Sequence, residues 1–326
     1  MFDVMTIGSA TKDVFLYSKA FKLIRSEKFE TGVGECVSLG SKIEIDKPIL
    51  TTGGGGTNAA ATFSSLGFNT AIITRLGDDS IANDVLAELE NFNVNTSLIK
   101  HVKRGNTGYS VLLTAEGGER SVLVHRGVSA EFKTTDVPVS KLKTKWIYIS
   151  SLGGNLALVI KIARAAKKKG IRVAYNPGSL ELKQGALAFE PLLRNLSILN
   201  LNLEEAQMLA RTKSRDIKTI CKKIHTPELT LIITDGPNGA YAHNDHETLF
   251  ARTRNIKAIS RTGAGDAFGS GVVASLMKGL KLQDALCVGT INAESVIQSF
   301  GAKNGILKRW PKKSLLDQIR VRTIRQ

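Results

Sequence analysis

The chain has 326 residues, 42% of them hydrophobic, and a formal net charge of +16 at pH 7. This content is enough to bury a large core, which fits one α/β domain with an insertion. Cys36, Cys221 and Cys287 lack metal-ligand spacing and are too few for a disulfide framework, so we expect a reducing, cytoplasmic location. No signal peptide is evident, and no stretch approaches the roughly 18 apolar residues of a membrane span, which excludes a membrane partner.

Strands and helices are predicted to alternate along the chain, which is typical of a mainly parallel sheet with helices on both faces. Strands are predicted at Val4–Gly8, Asn69–Arg75, Trp146–Ser150, Val173–Asn176, Ile198–Leu201 and Thr230–Thr234. Helices are predicted at Ala59–Gly67, Ser80–Phe92, Leu156–Lys169, Ser214–Ile224, Ala267–Leu280 and Leu282–Phe300. Ligands of such sheets bind beyond the carboxyl ends of the strands.

Two segments interrupt this alternation. Residues 15–50 are too many for a simple loop, and Lys42–Leu50 alternates like a strand. Residues 107–126 read as a hairpin with its turn at Glu116–Gly118. We therefore expect a second, smaller β structure built from these two segments.

The sequence RTGAGDAFGSG, residues 261–271, is the most informative motif. Gly263, Ala264 and Gly265 lead into an apolar helix, so they should lie at a helix N-terminus, where unpaired N–H groups and the helix dipole hold anions. Asp266 beside such an anion site would supply the base that phosphoryl transfer to a hydroxyl group requires. The alternative interpretation is an ordinary glycine turn with an acidic residue at a helix start.

Two further glycine clusters accompany this motif. The sequence GGGGTN, residues 53–58, allows close backbone approach and ends in Asn58. A Thr-x-Gly-x-x-Gly turn, residues 234–239, follows an apolar strand. Neither cluster matches the Walker A pattern or the dinucleotide fingerprint.

In this order, the three clusters make the chain resemble the ribokinase-like carbohydrate kinases, often called the PfkB family, along nearly its whole length. Gly8, Asp13, the block Gly53–Asp79, and Asn202 and Glu205 in LNLEEAQML add to the resemblance. It implies a ribokinase-like fold: a three-layer, doubly wound, mainly parallel sheet with a small β-sheet lid. The implied core comprises residues 1–14, 51–106 and 127–326, and the lid comprises residues 15–50 and 107–126. Because such lids often pair two subunits, a homodimer through the lid is expected.

The resemblance also implies an ATP-dependent phosphotransferase acting on a hydroxyl of a sugar or sugar derivative, like ribokinase or fructokinase. Asp266 would be the general base, and Gly263, Ala264 and Gly265 would bind the phosphoryl oxygens. Glu205, with Asn202, would organise Mg²⁺ through water. The residues implied in nucleotide binding are Asn202, Thr234, Gly236, Gly239 and Asn292, and those implied in acceptor binding are Asp13, Gly54, Gly55 and Asn58. For Glu205 and Asn292, the alternative is an ordinary polar helix residue.

The sequence departs from the family pattern at several positions. Ser260 stands where potassium-activated members carry an acidic residue, which argues against monovalent-cation activation. Gly55 stands where many ribokinases carry Lys, so a ribose-specific contact is missing. Arg126 in VLVHRGVSA is similar to the Arg-x-x-Ser-Ala stretch of 2-keto-3-deoxygluconate kinases and would pair with a sugar carboxylate or phosphate. The alternative is a lid residue bonded to backbone carbonyls.

Two other functions stay open at this stage. A nucleoside kinase, such as an adenosine kinase, would stack a base on Phe15, Tyr17 or Tyr109, which otherwise form an apolar lid core. A basic nucleic-acid-binding protein on a kinase fold would explain the charge of +16. However, the basic residues are scattered, the densest segment, Lys308–Arg325, reads as a solvated helix, and no nucleic-acid-reading motif is present. We therefore expect no nucleic-acid partner and interpret the charge as favouring ATP and anionic substrates.

Overall fold

A long mixed sheet organises the chain, whose computed structural model describes residues 1–115, 120–139 and 142–324. The strands are β1 (Phe2–Ile7), β2 (Thr11–Tyr17), β3 (Lys22–Arg25), β4 (Val33–Cys36), β5 (Ile49–Gly53), β6 (Thr70–Ile73), β7 (Arg75–Leu76), β8 (Lys100–His101), β9 (Gly108–Thr114), β10 (Arg120–His125), β11 (Thr144–Ile149), β12 (Arg172–Tyr175), β13 (Ile198–Asn202), β14 (Thr230–Thr234), β15 (Ala240–His243), β16 (Thr248–Ala251) and β17 (Val321–Thr323). The helices are α1 (Gly55–Ser65), α2 (Ser80–Asn91), α3 (Leu156–Lys168), α4 (Ser179–Leu182), α5 (Ala186–Leu193), α6 (Leu203–Leu209), α7 (Ile217–Ile224), α8 (Ala264–Met277), α9 (Leu282–Val296) and α10 (Lys313–Leu316).

The main sheet has the strand order β17-β16-β15-β14-β13-β12-β11-β1-β6. Pairing is parallel from β6 to β14 and antiparallel from β14 to β17. The parallel strands are apolar on both faces because helices cover both: α3, α5, α6 and α7 lie on one side, and α1, α8 and α9 on the other. This is the three-layer, mainly parallel architecture that the sequence predicts.

A second, smaller sheet has the strand order β10-β9-β2-β5. Strands β2 and β9 are parallel, and the two outer pairs are antiparallel. Most of it comes from the two interrupting segments, although β2 begins at Thr11 and β5 ends at Gly53, so these strands cross the boundaries implied at 14 and 51. Both strands of the predicted hairpin form, whereas its turn at Glu116–Gly118 lies outside the described residues.

Two predictions about local structure are wrong. Lys42–Leu50 is extended into a strand only from Ile49, because residues 42–48 have no neighbouring strand to bond to. The C-terminal segment is not a solvated helix: it contains the short α10 and then β17, which pairs with β16 at the edge of the main sheet. Trp310, Leu316 and Val321 pack against the core, since they alternate with the basic residues that face solvent.

The helices that matter for function begin earlier than predicted. Helix α1 begins at Gly55 rather than Ala59, and α8 begins at Ala264 rather than Ala267. Both helices follow a glycine with positive φ, Gly54 at 96° and Gly263 at 78°. The glycine clusters therefore form the helix starts themselves. Within the described residues, none of the helices combines the length and the apolar character needed to cross a bilayer.

Candidate active site

The N-termini of α1 and α8 meet at the carboxyl edge of the main sheet. Asn58 Nδ2 donates a hydrogen bond of 2.8 Å to Asp266 Oδ2, joining residues that are 208 positions apart in sequence. A Cβ placed on Gly55 would lie 2.8 Å from Ser150 Cβ and 3.3 Å from Asp266 Oδ1. The structure thus brings the predicted base, the predicted acceptor ligand Asn58 and the glycine cluster into one site.

The first turn of α8 has the geometry of an anion site. Gly263 adopts a left-handed conformation, and a Cβ there would lie 2.6 Å from Ala302 Cα, so only glycine fits. At Gly265, by contrast, an added Cβ would meet no heavy atom within 4 Å, so there is open space beside the backbone. Ala264 N makes only a long bond of 3.4 Å, to Arg261 O, and the first N–H groups of a helix have no intrahelical acceptors, so they are available to an anion.

The environment of Asp266 suits a general base. Burial raises the pKa of its carboxyl, the hydrogen bond from Asn58 and the charge of Lys303 lower it, and the charge of Asp13 raises it. The result is a pKa above the usual value for aspartate, which makes the carboxylate a stronger proton acceptor than a free one.

Asp13 supplies a second buried carboxylate from β2. It fits only because Gly53 has no side chain, since a Cβ on Gly53 would collide with the Asp13 carboxylate. Burial raises its pKa, whereas Lys303 and hydrogen bonds from Ser110 and Thr11 lower it. The site therefore contains two carboxylates with raised pKa values, each placed by a glycine motif.

Lys303 is a functional candidate that sequence reasoning missed. Its Nζ donates to Thr52 Oγ1 at 2.7 Å and lies 3.1 Å from Glu88 Oε2, with only 2% of the side chain exposed. The residue lies in the loop after α9, within the sequence GAKNG. A lysine between two glycines just past a helix was the available signal, but it was counted among the scattered surface charges.

Several buried polar atoms around this site have no partner among the described residues: Asn58 Oδ1, Ser150 Oγ and Thr51 Oγ1. Ser150, which was not predicted, is only 3% exposed and lies against Gly55. Buried polar atoms without partners are costly, about 1–3 kcal/mol each. A ligand that carries several hydroxyl groups would satisfy them.

A cavity of about 410 Å³ adjoins the start of α8. Its walls include the predicted residues Asn202, Thr234, Gly236, Gly239, Ala264 and Gly265. The remaining wall includes Arg254, Arg261, Thr290, Ala293, Glu294 and Ile297. The lining also includes the apolar side chains of Ile256 and Phe268, so polar and apolar groups both face the cavity, as a nucleotide requires.

Asn292 does not line this cavity, contrary to the prediction. Its side chain is fully buried, its Nδ2 donates to Ala267 O at 2.7 Å, and its Oδ1 accepts from Leu307 N at 2.8 Å. Both Nδ2 and Oδ1 bond to the backbone and so connect the helix to the following loop. Neither atom is directed to a ligand. Asn292 is the satisfied helix residue of the alternative interpretation.

Asn202 and Glu205 form a reciprocal capping box at the start of α6. Glu205 N donates to Asn202 Oδ1 and Asn202 N donates to Glu205 Oε2, both at 2.8 Å. Burial raises the pKa of Glu205, and so does the charge of Asp266. The cap uses one carboxylate oxygen and leaves the other for a ligand.

Arg126 is exposed at the base of the small sheet, where its carbonyl lies against Gly108. Among the described residues, its side chain has no hydrogen bond or ion pair. The structure does not bring it into contact with Asp13, Asn58 or Asp266.

Comparison with known proteins agrees with this geometry. The profile described as "pfkB family carbohydrate kinase" matches residues 1–309. The chain belongs to the pfkB family. The predicted family, fold class and enzyme class are thereby confirmed.

Proteins similar to this chain include ribokinases and a nucleoside kinase. A ribokinase from Haemophilus influenzae is 26% identical over 266 residues, covering 80% of this chain and 85% of that protein. The nucleoside kinase of Methanocaldococcus jannaschii has a TM-score of 0.79 at 19% identity, covering 98% and 99% of the two chains. A structure of Arabidopsis thaliana ribokinase complexed with ribose and ATP has a TM-score of 0.75 at 19% identity, covering 97% and 98%.

Proposed function

We propose that this pfkB kinase transfers the γ-phosphate of ATP to a hydroxyl group of a sugar or sugar derivative. The observation that carries the proposal is the Asn58–Asp266 hydrogen bond, which joins the proposed acceptor ligand on α1 to the proposed base at the start of α8. The cavity beside α8 is lined by Ala264 and Gly265, the two residues before Asp266, and Asn58 Oδ1 is one of the buried polar atoms without a partner among the described residues. The named ribokinase complex with ribose and ATP supports the same pair of substrates.

In the proposed reaction, Asp13 and Asn58 orient the acceptor through its hydroxyl groups. Asp266 takes the proton of one hydroxyl as its oxygen attacks the γ-phosphorus. The new O–P bond forms as the bond from the γ-phosphorus to the β,γ-bridging oxygen breaks, and ADP leaves. Backbone N–H groups of Ala264 and Gly265 donate to the phosphoryl oxygens, where negative charge redistributes.

The residues of this site fit a magnesium ion that is bound through water molecules. In the described part of the chain, no three acidic, His or Cys side chains cluster to hold a metal. Glu205 offers one free carboxylate oxygen near the anion site, and Mg²⁺ is commonly bound by one or two carboxylates together with substrate phosphates and water. Bound there, the ion would neutralise phosphate charge, while Asn202 keeps the Glu205 side chain in place.

A nucleoside is the second candidate acceptor, favoured by the face of the small sheet that carries Asp13. In the register of the strands, Phe15, Leu112 and Val122 form a row on that face. Phe15 also packs edge-on against Phe300, with ring centroids 5.6 Å apart. An apolar lid over the acceptor would cover a flat base better than a free sugar, and the nucleoside kinase likeness supports it.

The deciding experiment measures ADP release from Mg-ATP with a panel of sugars, sugar acids, sugar phosphates and nucleosides. We expect one class to be turned over, and Asp266→Asn to lower kcat by about 10²- to 10⁴-fold, because a positioned base contributes that much. Asp284→Asn is the matched control, since Asp284 occupies the first turn of α9 away from the site. Turnover by Asp266→Asn equal to wild type, or no turnover with any acceptor, would contradict the proposal.

The outer face of the small sheet supports a homodimer. Leu50, Val14, Val111 and Leu123 stand in one row across its four strands, on the face opposite Asp13. Leu50 and Leu123 are 57% and 59% exposed. Such a continuous apolar row is typical of an interface.

We expect Leu123→Asp to convert a dimer into a monomer in light scattering. Leu187→Asp, at an equally exposed leucine on α5, should leave the mass unchanged. A wild-type protein that is monomeric at all concentrations would refute the dimer.

A further inference from the structure

We propose that Lys303 is a positioning residue for catalysis: one buried ammonium group, shared by Asp13 and Asp266, that keeps both carboxylates ionised and sets the acidic limit of activity. This inference rests on the proposed phosphotransfer, in which Asp266 must be ionised to accept a proton. It adds a residue to the site that none of the sequence motifs contains.

The loop after α9 packs on β5 and directs Lys303 into the interior. Gly301 has a φ of 90°, and a Cβ there would lie 2.7 Å from Thr51 Cγ2, so the loop after α9 is pressed onto β5. Two residues later the Lys303 side chain enters the interior. Its ammonium group is fixed by Thr52, on β5, and by Glu88, on α2. Thr52 also donates to Glu88, so the three side chains form a closed triangle.

A buried ammonium group is stable only where negative charge compensates it. Glu88 is the direct partner, but the charge of Lys303 also acts on Asp13 and on Asp266. Glu88 contacts the ammonium group directly, and strand β5, which carries its other partner Thr52, pairs Asp13 with Thr51. Without the ammonium group, desolvation and mutual repulsion would favour the protonated form of these carboxyls, and a protonated Asp266 is no base.

Other titratable groups also act on the cluster formed by Lys303, Asp13, Glu88 and Asp266. Burial lowers the pKa of Lys303 itself, whereas its three carboxylate neighbours raise it. The titratable groups that act on the cluster, taken over every element packed against it, are Asp13 on β2, Glu88 on α2, Tyr148 on β11, Glu205 on α6, Asp266 on α8 and Lys303 itself. Lys12, opposite Thr52 in the register of β2 and β5, is also near, but Asp84 on α2 neutralises it. Lys303 is the cation that acts on Asp13 and Asp266, so its removal leaves their negative charge uncompensated.

The test compares Lys303→Met and Lys303→Arg with wild type in the pH profile of kcat/KM. We expect Lys303→Met to move the acidic limb at least one pH unit upward, about tenfold at a fixed acidic pH. The KM for the acceptor should rise, because Asp13 binds it, while the KM for ATP stays within about twofold. Lys303→Arg retains the charge and should restore part of the profile.

Lys12→Met is the matched control. Lys12 is adjacent to Asp13 in sequence, but its ammonium group pairs with Asp84 at 2.6 Å on the other face of β2. Its removal should leave the acidic limb unchanged. If Lys303→Met does not fold, Lys303→Gln, which can still donate to Thr52, replaces it.

A second readout does not depend on turnover. Carboxyl ¹³C NMR titration of the ligand-free protein should show the Asp266 pKa rising in Lys303→Met and not in Lys12→Met. If wild type phosphorylates no acceptor, the proposed function fails while this titration still tests Lys303. A lower melting temperature with unchanged carboxyl pKa values and an unchanged acidic limb would overturn the proposal, because Lys303 would then be only structural.

Discussion

At the scale of single residues, Asp266 combines a catalytic advantage with a cost in stability. Burial raises its pKa although Asn58 and Lys303 act in the opposite direction. A carboxyl whose pKa is higher in the folded than in the unfolded chain destabilises the fold when it is ionised. The cost is absent below the unfolded pKa and is complete above the folded one. Active sites commonly keep such unfavourable groups because function requires them.

We therefore predict that Asp266→Asn melts at a higher temperature than wild type at pH 7, although its kcat should be lower. The advantage should disappear as the pH falls below the normal pKa of aspartate, because wild-type Asp266 is then protonated. Calorimetry of both proteins from about pH 3.5 to about pH 8 measures this difference in melting temperature. Asp284→Asn should show no such pH-dependent gain, and a variant less stable than wild type at pH 7 would contradict the prediction.

At the scale of secondary-structure elements, α6 shows one side chain serving two purposes. Glu205 closes the capping box with Asn202 through Oε2, and its other oxygen has no hydrogen bond among the described residues. Glutamine closes a capping box as well as glutamate does, but it carries no charge for a metal. The two roles are therefore separable by substitution.

We predict that Glu205→Gln keeps its free energy of unfolding within about 0.5 kcal/mol of wild type. Its Mg²⁺ requirement for half-maximal activity should rise about tenfold, as expected when an outer-shell ligand is lost. Glu205→Ala should lose both properties, since it also opens the cap. An unchanged Mg²⁺ titration in Glu205→Gln would show that Glu205 acts only as a cap.

At the scale of the whole molecule, the excess positive charge has a local focus beside the nucleotide cavity. Arg252 on the segment after β16 faces Arg320 across the sheet edge, and Arg322 lies 5.2 Å above the Phe250 ring. Arg252 and Arg320 line two further cavities, of about 500 Å³ and 340 Å³. Arg322 lines the first of these, and the second shares Thr253 with the cavity beside α8. In the described residues none of the three has an ion-pair partner, so their field reaches solvent.

We predict that the double variant Arg320→Ser/Arg322→Ser raises the KM for ATP about threefold to tenfold at low ionic strength, because steering of the anion is weakened. At about 0.5 M salt the difference should vanish, since screening then acts within a few ångströms. Lys161→Ser/Arg164→Ser removes the same charge from α3, in the opposite helical layer, and should change nothing. A difference that persists at high salt would indicate direct contact rather than steering.

Sequence patterns predicted the parallel strands well because those strands are buried on both faces and read as apolar runs. They failed for Lys42–Leu50 and for the C-terminal segment. Alternation of apolar and polar residues does not by itself give a strand a neighbouring strand to pair with, so only Ile49 and Leu50 of the first segment are extended. In the C-terminal segment, the many lysine and arginine residues obscure the pattern of the apolar residues, and β17 pairs with β16. The starts of α1 and α8 were predicted too late, because the low helix propensity of glycine argues against a helix at residues 55–56 and 265.

By itself the sequence determined the fold class and the family, because glycine clusters with fixed neighbours encode backbone shapes that few other residues allow. It also indicated Asp266 and most of the nucleotide cavity, since these lie within short motifs. Only the tertiary structure showed that both ends of the Asn292 amide are bonded to the backbone, that Ser150 lies against Gly55, and that Lys303 is buried against Thr52 and Glu88. These features depend on contacts across 251 positions for Lys303 and Thr52. A side chain's burial and its charged neighbours are properties of the folded chain, which local sequence does not record.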